Sequence, residues 1–181
     1  ISKIYSKDGK VISEAEKARL IADPENKSQK NGFTSTLPIF EMGENCAKLE
    51  KIIWREVEAY RENYAAKKCI FISKWPQSSK LAGWYVRLKQ NGYQESHIHA
   101  AGWLSGVIYL KTVNVKDKNE NEGAIEFSLH GYDLPIIDHS YPKETLIPKR
   151  GDIVLFPSSL FHRTIPFKAD VERCIIAFDL V

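Results

Sequence analysis

The chain has 181 residues, and Lys+Arg 26 against Asp+Glu 23 gives a formal charge of +3. That is the length of one ordinary domain, and the charge is too small to indicate a nucleic-acid partner. Hydrophobic residues at 43% and aromatics at 11% exclude disorder over most of the length, and no apolar run reaches the roughly 18–20 residues that span a bilayer, so no membrane association is expected.

Along the chain, Ser13-Glu14-Ala15-Glu16 predicts a short helix running to about Ala22 and closed by Asp23-Pro24. The polar stretch 25–32 reads as loop. Residues 45–68 carry the strongest helical signal. Leu49, Ile52, Ile53, Val57, Tyr60 and Tyr64 recur there at steps of three and four, the period of a core-facing stripe. From Cys69 onward the texture changes to short segments rich in β-branched and aromatic residues: 69–72, 84–89, 104–112, 124–129, 152–156 and 173–179. Asn91-Gly92 and the segments 117–123, 148–151 and 166–170 read as the turns between them. Strands that follow a helix without βαβ alternation predict a mainly β fold, a sandwich or barrel with N-terminal α support. The support is expected over 1–68 and the β core over 69–181. Cys46, Cys69 and Cys174 form no CxxC pair and read as packed thiols of a reducing, cytoplasmic compartment. The opening Ile1, in place of Met, suggests a piece of a longer chain.

Three of the five histidines stand where metal chemistry would put them. His97 and His99 are spaced i, i+2, so an extended segment points both to one face, a two-ligand clamp for a transition metal. A chance pair of histidines is the bland alternative. His162 changes the balance, because the run Gly151-Asp152-Ile153-Val154-Leu155-Phe156-Pro157 delivers it from a rigid turn after an apolar strand. Three protein ligands leave three open positions on an octahedral ion, enough for a chelating cosubstrate and oxygen. Arg173 opens the apolar strand Arg173-Cys174-Ile175-Ile176-Ala177-Phe178 and shares a face with Ile175 and Ala177. A buried guanidinium needs a carboxylate, either from an internal salt bridge or from a bound ligand. Tyr109 shares a strand face with Ser105 and Val107, and its hydroxyl needs a partner. His130 and His139 read as surface-loop residues. Arg87, beside Tyr85 and Lys89 on one face of its strand, and Trp103, beside the HxH segment, are weak candidates for lining a substrate pocket.

The segments HIHAAGWLSGVIYL, GAIEFSL, GDIVLFPSSLFHRTIPF and ERCIIAFDL resemble the iron(II)/2-oxoglutarate-dependent oxygenases over roughly the last hundred residues. The spacing is also similar to that of the prolyl-hydroxylase type. The resemblance implies a double-stranded β-helix, a jelly-roll or cupin-like barrel. It also implies iron(II), 2-oxoglutarate and dioxygen as cofactors, with iron ligands at His97 and His162. Arg173 and the Tyr109 hydroxyl would hold the distal carboxylate of 2-oxoglutarate. The prevalent triad of the superfamily has Asp or Glu where this chain has His99. His99 is therefore expected as the third ligand, with a water or an anion in that place as the alternative. The activity implied is hydroxylation of a small molecule or peptide, with release of succinate and carbon dioxide. Two rivals remain: a cupin-type metalloenzyme without 2-oxoglutarate, and a metal-free binding module. Gly151 to His162 also echoes the second cupin motif, with Ser159 in place of its glycine, but 102–104 offers no glutamate for the first.

Overall fold

Leu49, Ile53 and Val57 are all buried along one side of α2 (Glu44–Tyr64), which realises most of the helix expected over 45–68. The computed structural model describes residues 8–25, 28–114, 121–132 and 134–181. Gly43 supplies α2 with no side-chain cap. Glu14 of α1 (Asp8–Ala15) does so from a distance, its carboxylate accepting from the backbone N–H groups of Asn45 and Cys46, both at 2.9 Å. A carboxylate there satisfies orphan donors and complements the positive end of the helix dipole. Gly43 permits the approach, because a Cβ at that position would lie 2.4 Å from Glu14 Cδ.

Local sequence misleads at four places. The helix expected over 13–22 ends at Ala15, and Leu20–Ala22 is the strand β1. It pairs with β2 (Gln29–Ser35), which takes over part of the expected loop 25–32 because it lies against β3 (Leu81–His97). Tertiary pairing outweighs a polar composition here. The segment 69–72, expected as a strand, winds into the single turn α3 (Ile70–Ser73). Its Phe71 stacks on Trp103 at 5.4 Å and meets Tyr60 and Trp75 edge-on, and an apolar run this short has no period to tell the two forms apart. Asn91-Gly92, expected as a turn, lies inside β3, where Asn91 takes φ 60. Of the turn expected over 117–123, residues 117–120 lie outside the described residues, and Gly123 adopts φ 77.

The remaining strands are β4 (Leu104–Lys111), β5 (Ile125–Ser128), β6 (Glu144–Leu146), β7 (Ile153–Pro157), β8 (Phe161–Thr164) and β9 (Arg173–Leu180). Among the described residues, nine strands join one antiparallel sheet in the order β6-β5-β8-β3-β9-β4-β7, with β2 on β3 and β1 on β2. The sheet curls into a double-stranded β-helix with α support, the mainly β fold expected. β3 runs for 17 residues; its first half pairs with β9 and its last residues with β8, so one strand spans the core and ends at the site.

All eight residues of β9 are buried, because both of its faces are covered. Cys174, Ile176, Phe178 and Leu180 pack with Leu49, Ile53 and Val57 under the helices. Ile175 and Ala177 face the other way, with Val86, Val107, Tyr109 and Phe156, into the barrel. Among the described residues, no helix is long and apolar enough to cross a membrane.

Candidate active site

β3 ends at His97, and β8 sets His162 directly opposite it in the antiparallel register. His99 follows two residues later, pinned by its backbone N–H donating to the Ser158 carbonyl at 3.0 Å. The Nε2 atoms of His97 and His99 are 3.3 Å apart, and the ligand atoms of all three histidines lie within 4.8 Å of one another. Behind each ring an oxygen accepts from Nδ1: the Glu95 carbonyl for His97 at 2.6 Å, Asp179 Oδ1 for His99 at 2.6 Å, and the Leu160 carbonyl for His162 at 3.1 Å. Such acceptors place the proton on Nδ1 and leave each Nε2 lone pair facing the gap. Two imidazoles at about 2.1 Å and at right angles on one ion would sit about 3.0 Å apart, so the 3.3 Å separation fits a first-row divalent metal.

His162 is 6% exposed, and the Phe156 ring lies 4.6 Å from its own. Burial, reinforced by His97 and His99, pushes its pKa down to about 3, so the ring is neutral and free to ligate. Behind His99, Asp179 Oδ1 also accepts from the Ser105 hydroxyl at 2.7 Å, and Ser105 Oγ lies 2.8 Å from Ser158 Oγ.

The histidines line a cavity of about 1020 Å³ that also reaches Arg173, Ile175, Ala177 and Asp179, one continuous face of β9. Arg173 is 1% exposed. Its Nε donates to the Gly123 carbonyl at 3.2 Å, its Cζ lies 5.0 Å from the centre of the Tyr109 ring, and among the described residues no carboxylate pairs with it. Arg173 Nη1 and the Tyr109 hydroxyl are buried without hydrogen-bond partners. Burial pushes the Tyr109 pKa up and that of Arg173 down.

The weak substrate candidates lie elsewhere. Arg87 points away from the cavity and pairs with Glu16 at 2.9 Å, because alternation along β3 gives the interior to Trp84 and Val86. Trp103 stacks on Phe71 and donates from Nε1 to the Phe71 carbonyl at 3.2 Å, so it belongs to the seam with α3. His130 and His139 stay outside the histidine cluster. Asp179 is absent from the sequence-predicted site, although stepping by two from Arg173 through Ile175 and Ala177 reaches it. So is Gln29, which is 3% exposed, lines the cavity and has no hydrogen-bond partner at either end of its amide. No local signal marks Gln29, because its end of the strand is held only by pairing with β3, opposite Gln94.

A family model described as "Putative 2OG-Fe(II) oxygenase" matches residues 82–179, from the start of β3 to the end of the cavity face of β9. The chain belongs to this 2OG-Fe(II) oxygenase family. The cofactors of the family are iron(II), 2-oxoglutarate and dioxygen, and the three-histidine group is one that can hold the metal. No curated protein matches the chain. Among solved structures, a prolyl-4-hydroxylase of Pseudomonas putida is similar with TM-score 0.63 and 11% identity, over 98% of this chain and 84% of that one. HygX of Streptomyces hygroscopicus, with nickel and 2-oxoglutarate bound, gives TM-score 0.62 and 14% identity over 96% and 77%. The α-ketoglutarate-dependent carbocyclase SnoK of nogalamycin biosynthesis gives TM-score 0.68 and 11% identity over 99% and 74%. At these identities the likeness is one of fold, and this oxygenase shares the fold of all three.

Proposed function

We propose that this oxygenase is a hydroxylase that couples conversion of 2-oxoglutarate and dioxygen into succinate and carbon dioxide to replacement of a substrate C–H by C–OH. His97, His99 and His162 would hold the iron through Nε2. Arg173 and the Tyr109 hydroxyl would hold the far carboxylate of 2-oxoglutarate. The iron supplies the redox chemistry when bound; the work of the chain is to position, to compensate charge and to exclude water.

One observation carries this reading. Arg173 is a buried cation with an unpaired Nη1, seated beside an unpaired tyrosine hydroxyl, in the same cavity as three converging imidazoles. A buried guanidinium without a carboxylate costs several kcal/mol, so the arrangement is complementary to an anion that arrives from outside. A dicarboxylate suits both ends: its far carboxylate meets the guanidinium and hydroxyl, and its other end faces the histidines. The HygX structure with nickel and 2-oxoglutarate is a precedent for both groups on this fold. A cupin-type reaction without 2-oxoglutarate would give Arg173 no such partner.

The test is succinate release from 2-oxoglutarate by iron-loaded protein without substrate, followed by product analysis under ¹⁸O₂ with candidate small molecules and peptides. The reading expects iron-dependent succinate that His162→Ala abolishes, and one labelled oxygen in the product. Product without labelled oxygen would assign another outcome, such as ring closure or epimerisation. No succinate from iron-loaded protein would remove the cosubstrate.

A further inference from the structure

We infer that Asp179 is a positioning residue that supplies, through the His99 ring, the negative charge that a carboxylate ligand brings in the prevalent triad. This role rests on the three-histidine site proposed above. Among the described residues the three rings are backed unequally. His97 and His162 donate from Nδ1 to the neutral carbonyls of Glu95 and Leu160, whereas His99, the residue standing in the carboxylate's place, donates to Asp179. The contact is short, 2.6 Å, and its side chains are only 12% and 11% exposed. A charge-assisted bond of this kind makes the ring a more basic ligand and fixes its orientation.

The surroundings hold the carboxylate for this purpose. Ser105 donates its hydroxyl to Asp179 Oδ1 at 2.7 Å, which leaves Ser105 Oγ to accept from Ser158. Gly102 leaves room for the group, since a Cβ there would lie 2.6 Å from Ser158 Oγ and 3.1 Å from Asp179 Cγ. Among the described residues no Lys or Arg pairs with Asp179. A nearly buried anion without a basic partner needs a counter-charge, and a divalent metal on the far side of His99 provides one. Three neutral imidazoles leave the ion's full charge uncompensated, and Asp179 returns one negative charge at a single ring's distance.

Asp179→Asn tests this with little change of shape, because the amide oxygen still accepts from His99 and Ser105. The measurement is anaerobic iron(II) titration of the whole chain without 2-oxoglutarate, together with the melting temperature of the metal-free protein and the midpoint potential of the bound iron. Affinity should fall about 10–100-fold, and the potential should rise because the ferric state loses its compensating charge. The metal-free melting temperature should change little. In a His99→Asp background, where a carboxylate ligates directly, Asp179→Asn should cost no affinity. Asp179→Ser, smaller and uncharged, takes the place of the Asn variant if that variant does not fold. Iron affinity and potential equal to those of the parent would overturn the role of Asp179 alone. A parent protein that binds no iron would overturn the metal site and this role together.

Discussion

The Arg173 guanidinium lies over the Tyr109 ring, its Cζ 5.0 Å from the ring centre, with the arginine Nη1 and the tyrosine hydroxyl both lacking partners. The stacking recovers part of the desolvation cost of the cation and leaves its donors available to an anion. Arg173→Leu should therefore weaken 2-oxoglutarate binding by about 2–5 kcal/mol, and Tyr109→Phe by about 1.5–3 kcal/mol, with iron affinity unchanged in both. Without 2-oxoglutarate, Arg173→Leu should melt no lower than the parent, since it removes an unpaired buried charge. Calorimetric titration checks the first effect and thermal melting the second; an unchanged 2-oxoglutarate affinity would return Arg173 to a purely structural role.

His162 gives the metal-free protein an acid sensitivity of definite sign. Its folded-state pKa of about 3 lies below the ordinary histidine value of 6.5, so the unfolded chain binds the extra proton more readily. Stability from this group is present above 6.5 and is lost as pH falls through the window towards 3. His162→Phe should flatten that part of the curve of melting temperature against pH, and an identical slope in parent and variant would refute the assignment.

Glu14→Ala should destabilise the fold by about 1 kcal/mol, the usual cost of a lost helix cap. The carboxylate bridges α1 to the first N–H groups of α2, so the loss belongs to the helical layer. The urea midpoint should drop while iron affinity stays constant.

The three thiols should differ sharply in reactivity. Cys69 is exposed, whereas Cys46 and Cys174 are buried. Burial, with Glu14 nearby, pushes the Cys46 thiol up to about 12, and burial raises Cys174 as well. An alkylating agent should label one cysteine in the native protein and all three after denaturation. Mass mapping of the labelled peptide checks which one.

Sequence legibility followed the range of the interactions. The α2 stripe and the strands around Ser105–Tyr109 and Arg173–Ala177 declare themselves because each segment carries its own period and its own burial. His97, His99 and His162 were readable as a group from spacing and from the apolar strand before His162. β1 and β2 were not: apolar Leu20-Ile21-Ala22 becomes a strand only beside β2, and polar β2 only beside β3, and with β2 went Gln29. Phe71 was misjudged because four apolar residues fit one helical turn as well as a strand. Asp179 was hidden for another reason: an acid near the end of an apolar strand looks like a surface residue until His99 is known to reach it.

β9 assigns its residues to the two layers by parity alone, odd numbers to the cavity and even numbers to the helices. A single inserted residue ahead of Arg173 that shifted the strand's pairing by one place would turn the guanidinium and the Asp179 carboxylate under α2 and set Cys174 and Phe178 in the cavity. Length changes in this strand thus cannot be graded: the chemistry is written in a reading frame, and point substitution is the only continuous route by which this wall can vary.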